Sequence, residues 1–111
     1  MPVLARDGVP LGAAEIATGR SARRRGLLGR DRVDGVLVLE PCRQVHTFGM
    51  RFAIDVAFCA PDGRVLRVVP AMRPGRVSRV VWRARRVLEG EAGLFARWRL
   101  QPGDVVTVEP S

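Results

Sequence analysis

Apolar residues fall along the chain in short runs separated by turn residues, so strands predominate. Residues Val3 to Leu11 form two apolar pieces on either side of Asp7-Gly8, the pattern of a turn between strand fragments. Glu15-Ile16-Ala17 continues as a short strand. From Thr18 to Arg30, Ala22, Leu27 and Leu28 recur between arginines. That spacing predicts one short amphipathic helix over about 19–30, with Thr18 as its N-cap and Ser21 as the competing cap. Arg23-Arg24-Arg25 covers most of a helical turn, so at least two of the three face solvent.

Gly35 opens the run Val36-Leu37-Val38-Leu39, which Pro41 ends. An unbroken aliphatic run of this length is that of a central strand buried on both faces. Phe52 to Phe58 and Val65 to Val69 flank Pro61-Asp62-Gly63 and predict a hairpin. Phe52, Ile54, Val56 and Phe58 share one face of the first strand by the period of two, and Asp55 lies on the other. Pro70 to Gly75 breaks the pattern, Val80 to Leu88 resumes a strand-like one, and residues 91–98 suit a short helical turn. Gln101-Pro102-Gly103-Asp104 then turns into a closing strand, Val105 to Val108. Residues 1–111 therefore read as a single small α+β domain, mostly an antiparallel, curled, barrel-like sheet with one N-terminal helix.

Composition adds three points. With 111 residues and 47% hydrophobic positions, the chain suits one packed core and not a disordered tail. The formal charge is +8 and every basic residue is arginine. Lysine, asparagine and tyrosine are all absent, which points to a GC-biased coding sequence; the net charge itself favours polyanions nonspecifically. Cys42 and Cys59 are too few for a disulfide framework and read as reduced thiols. No apolar run suits a secretory signal or a membrane span, so a cytoplasmic location is expected.

Candidate chemistry gathers in the turn His46-Thr47-Phe48-Gly49-Met50. His46 is the sole histidine and sits between two strands, where a side chain can face a cleft or pack on Phe48. Gly49, between bulky neighbours, suggests a positive φ or a close approach. Cys42, His46, Asp55 and Cys59 make four metal ligands on paper, but no paired Cys/His spacing is present, and no metal or other cofactor is expected. Cys42 with His46 as base and Asp55 or Gln44 as orienting group follows the logic of Cys-His hydrolases, without an oxyanion-hole motif to support it. Arg73, Arg76, Arg79, Arg83, Arg85 and Arg86 surround Trp82, a basic and aromatic mixture that can hold phosphates and stack a base; the bland alternative is a charge-protected edge strand.

The stretch Pro41 to Phe58 resembles the signature of the domain of unknown function 192 family, also called uncharacterised protein family 0127. Ala17-Thr18 with Arg25-Gly26-Leu27-Leu28-Gly29-Arg30 resembles the family's N-terminal helix motif. Val87-Leu88-Glu89, Ala92-Gly93 and Gly103-Asp104 resemble its C-terminal half. The resemblance implies a compact, mostly β domain and carries no established activity. Ala53 stands where many relatives have proline, and many relatives carry an export signal or membrane segment that this sequence lacks.

Three functional readings follow. The first is a noncatalytic small-ligand-binding or accessory domain, with His46, Phe48, Met50 and Asp55 lining or supporting a cleft. The second is association with nucleic acid or another polyanion through residues 73–86. The third is an enzyme that uses Cys42 and His46.

Overall fold

A computed structural model describes residues 1–110, and its centre is the run that the sequence marks as doubly buried. Seven strands form one sheet: β1 (Val3–Arg6), β2 (Val9–Ala17), β3 (Val36–Leu39), β4 (Ile54–Cys59), β5 (Val65–Met72), β6 (Arg86–Glu91) and β7 (Val106–Glu109). Their spatial order is β5-β4-β6-β3-β2-β1-β7, which puts β3 in the middle. All four of its residues are buried. Every strand pair is antiparallel except β2 with β3.

That parallel pair requires a crossover, and the helix α1 (Gly19–Arg25) lies on it. The helix is shorter than the expected 19–30. Gly26 takes φ 51° and returns its N–H to the Ala22 carbonyl at 3.0 Å, which ends the helical path; Leu27 to Arg30 continue as tight turns. Thr18 occupies the N-cap position without a side-chain cap bond. A second helix, α2 (Leu94–Arg97), lies within the expected 91–98 turn.

Alternation along the strands builds a core on each side of the sheet. Leu37, Leu39, Ile54, Val56, Phe58 and Val87 face one core, against which Ala22 and Leu28 of the crossover pack. Phe52 joins the same core from outside the strand. Val36, Val38, Ala57, Cys59 and Leu88 face the other, closed by Leu94 and Phe95 of α2. The strand-like pattern over Val80–Leu88 becomes a strand only from Arg86 onward; residues 80–85 are loop because their backbone bonds go to residues 42–43 and 59 and to a local turn.

The sheet is not a closed barrel, because its edge strands β5 and β7 meet only at one end. There Arg64 bridges Val105, Val65 N–H donates to the Asp104 carbonyl at 2.7 Å, and Val106 N–H to the Gly63 carbonyl at 3.0 Å. Among the described residues, no helix is long and apolar enough to cross a membrane.

Candidate functional site

The segment from Cys42 to Met50 links β3 to β4 and is held by the loop that precedes β6. Ser78 N–H donates to the Val45 carbonyl at 2.8 Å, Val81 N–H to that of Arg43 at 2.8 Å, and Cys42 N–H to that of Arg85 at 3.0 Å. At the tip, Thr47 is fully buried. Its hydroxyl donates to the Arg73 carbonyl at 2.6 Å and accepts the Arg76 N–H at 2.9 Å, while its own N–H reaches the Arg76 carbonyl at 2.8 Å. Gly49 has φ 80°, the positive value that its neighbours suggested. The strongest architectural residue of the turn is thus Thr47, which the sequence reading passed over.

Beside this turn lies a cleft of about 310 Å³ on the first-core face of the sheet. Arginines 20, 23, 24 and 25 of α1 form one wall. Leu27, Leu39, Val45 and Met50 supply apolar surface, and Cys42, Gln44 and His46 also line it. None of the four α1 arginines is paired with an acidic side chain among the described residues.

The floor carries Glu89. It lies on β6 opposite Leu37 of β3 and Val56 of β4, on the same strand face as Val87, in a layer that is otherwise apolar. It is 5% exposed, opens onto the cleft, and has no hydrogen-bond or ion-pair partner for its carboxyl among the described residues. Burial alone pushes the carboxyl up to about 7. Gly26 makes room for it: a Cβ there would stand 3.3 Å from Glu89 Oε1, at a backbone φ that already disfavours a side chain. The sequence signal was available, since the period of two places Glu89 two residues beyond Val87 on the core face.

The expected site residues separate into three groups. His46 and Met50 line the cleft, Met50 nearly buried and His46 exposed. Phe48 points away from the lining and stacks on His46, with ring centroids 5.6 Å apart. Asp55 belongs elsewhere, because strand alternation sends it through the sheet to the opposite face. There its carboxylate accepts N–H groups from Ala71 at 2.9 Å and from Gly93 and Phe95 at 3.0 Å each. It ties β5 and the start of α2 to β4.

The thiols are likewise divided. Cys42 borders the cleft, where burial pushes its thiol up, and the sulfur donates to the Gln44 carbonyl at 3.3 Å. Cys59 is buried in the second core and pushed up to about 12 by burial. Cys42, His46, Asp55 and Cys59 therefore do not converge, and among the described residues no three His, Cys, Asp or Glu groups form a metal-binding cluster. A raised thiol pKa also works against Cys42 as a thiolate nucleophile.

The basic segment is a surface loop from Arg73 to Arg85, not an edge strand, and Arg86 opens the interior strand β6. Trp82 is 77% exposed, and Arg73, Arg76, Arg79 and Arg83 are exposed with no acidic partner among the described residues. Arg85 and Arg86 differ, because both reach Glu40, Arg86 at 2.9 Å.

Fold and cleft together define a small, mostly β single-sheet domain with an arginine-walled pocket over a buried acid. The family model DUF192, described as "Uncharacterized ACR", matches residues 3–108, and the chain belongs to that family. No curated protein matches it. Two solved structures are similar in fold. One, a protein of unknown function from Novosphingobium aromaticivorans DSM 12444, has 20% identity and a TM-score of 0.82 over 96% of this chain and 82% of its own. The other, from Sinorhizobium meliloti 1021 and described as a "putative transcription regulator", has 22% identity and a TM-score of 0.79 over 96% and 91%.

Proposed function

We propose that the domain is a noncatalytic small-ligand-binding protein whose site is the cleft beside His46. The observation that carries this reading is Glu89, a nearly buried acid that opens onto the cleft and has no hydrogen-bond or ion-pair partner among the described residues. A carboxyl held in a mostly apolar layer and left unpaired gains from any donor that a ligand brings to it. Apolar walls with a few polar groups are what small-molecule sites offer. Phe48 and Asp55 have supporting roles, the first by stacking His46 and the second by fixing β4 from the far side. A metabolite screen by thermal shift, repeated on His46→Ala, tests the reading. At least one compound stabilises the wild type and stabilises the variant less; a screen without any stabilising compound overturns it.

A second reading rests on the face around Trp82. An exposed indole among unpaired arginines suits a polyanion such as nucleic acid, and the regulator description of the Sinorhizobium meliloti protein is compatible with that. Binding of a single-stranded oligonucleotide is then expected to weaken steeply with salt and to fall further in Trp82→Ala. Absence of binding at low salt removes this reading.

A further inference from the structure

We infer that the cleft takes an apolar amino acid or a close relative: a small zwitterion whose anionic group meets the α1 arginines and whose ammonium meets Glu89. This rests on the small-ligand reading above and names the chemistry of its ligand.

The two charged parts of the cleft have opposite needs. The groups that face Glu89 are known from every element packed against it. The β3 and β4 neighbours opposite it are the apolar Leu37 and Val56. The α1 side brings Gly26 against its Oε1, with the four arginines along the wall; the 42–50 segment brings Cys42 and His46. None of these bonds the carboxyl. A buried acid without a partner is best satisfied by a donor that carries positive charge, since the ion pair and its hydrogen bond then offset desolvation together.

The wall has the reverse need. Four guanidiniums on seven residues of helix repel one another, and their forked donors fit a carboxylate or phosphate. A simple anion would satisfy the wall and leave the floor unpaired, whereas a simple amine would do the opposite. Leu27, Leu39, Val45 and Met50 between them call for an apolar side chain. The volume, about 310 Å³, is at the small end for ligand sites and suits one small molecule.

Proton exchange follows from the same arrangement. An incoming ammonium favours the ionised carboxylate, so binding below neutrality displaces a proton from Glu89, and affinity rises between pH 6 and 8.

The test is calorimetric titration of the whole domain with leucine, methionine and phenylalanine, each beside its α-hydroxy acid and its decarboxylated amine. The amino acid is expected to bind about tenfold more tightly than either analogue, the effect of one lost charged hydrogen bond. Glu89→Gln is expected to lower amino-acid affinity about tenfold. Binding heat at pH 6 should vary with buffer ionisation enthalpy in the wild type and not in the variant. Equal binding of the hydroxy acid, or unchanged binding in Glu89→Gln, overturns the zwitterion assignment and leaves the cleft as a ligand site. No binding by any of the nine compounds also overturns it. The broader reading then stands or falls separately, on whether another compound in the metabolite screen stabilises the protein through His46.

Discussion

Replacing Glu89 with glutamine removes an ionisation that the fold opposes, and the consequence for stability can be worked out from its surroundings. The carboxyl titrates near 7 when folded, against its ordinary 4.5 when exposed in the unfolded chain. Below pH 4.5 both states hold the proton, and burial adds no penalty for charge. Between 4.5 and 7 the unfolded chain releases its proton while the folded one keeps it, so stability falls as pH rises. Above 7 both are ionised and the loss is complete, at about 3 kcal/mol. Glutamine is nearly isosteric and never ionises. Glu89→Gln is therefore expected to match the wild type at pH 4.5 and to exceed it by about 3 kcal/mol at pH 8, or roughly 10 °C in Tm for a domain of this size. Urea unfolding followed by far-UV circular dichroism at both pH values provides the measurement. Glu15 is held low by its Arg30 hydrogen bond; at Glu40, burial opposes ionisation but the Arg86 and Arg85 contacts outweigh it. Both titrate below the window and cancel between the two proteins. A variant less stable than the wild type at pH 8 would refute the reasoning, because it would mean that the ionised carboxylate has a stabilising partner in the fold.

Other substitutions probe the supporting structure. Thr47→Val leaves the Arg76 N–H without its acceptor and is expected to cost about 1–3 kcal/mol in chemical unfolding, although valine matches threonine in shape. Asp55→Ala removes the acceptor of three backbone N–H groups and should cost roughly 3 kcal/mol or more, with hydrogen exchange accelerated first at Gly93 and Phe95. Toward a disulfide reagent at pH 8, Cys42 should react more slowly than a free thiol and Cys59 only after unfolding. Cys42 reacting faster than a free thiol would revive the nucleophile reading.

Much of the sheet was legible because its signals are local. The doubly buried β3 showed in Val36–Leu39, the β4–β5 hairpin in Pro61-Asp62-Gly63, and the special backbone of the turn in Gly49. The residues that decide the site depend on contacts between distant segments. Asp55 was grouped with His46 by proximity in sequence, yet a strand sends neighbours to opposite faces, and its partners lie up to 40 residues away. Thr47 looked like an ordinary turn residue because its partners, Arg73 and Arg76, come from another loop. Glu89 was visible as part of a family motif and, through its alternation with Val87, on the core face of its strand. Its significance appears when β6 is set between Leu37 and Val56, with Gly26 lying against the carboxyl. The helix starts where it was expected and ends early, because Gly26 behind the arginines is a C-cap that the apolar spacing of Leu27 and Leu28 outweighed in the sequence.

The single-ended junction between β5 and β7 bears on how the molecule behaves among its own copies. An open sheet ordinarily leaves two ladders of unused backbone groups on which another chain can build. Here Gly63, Val65, Asp104 and Val106 spend theirs on each other, which removes one end of both ladders. Further along β5, Pro70 has no N–H to offer and Ala71 turns out of the extended conformation at φ 48°, its N–H already taken by Asp55. The β5 border of the sheet is therefore neither straight nor vacant, and strand addition by another copy is disfavoured there.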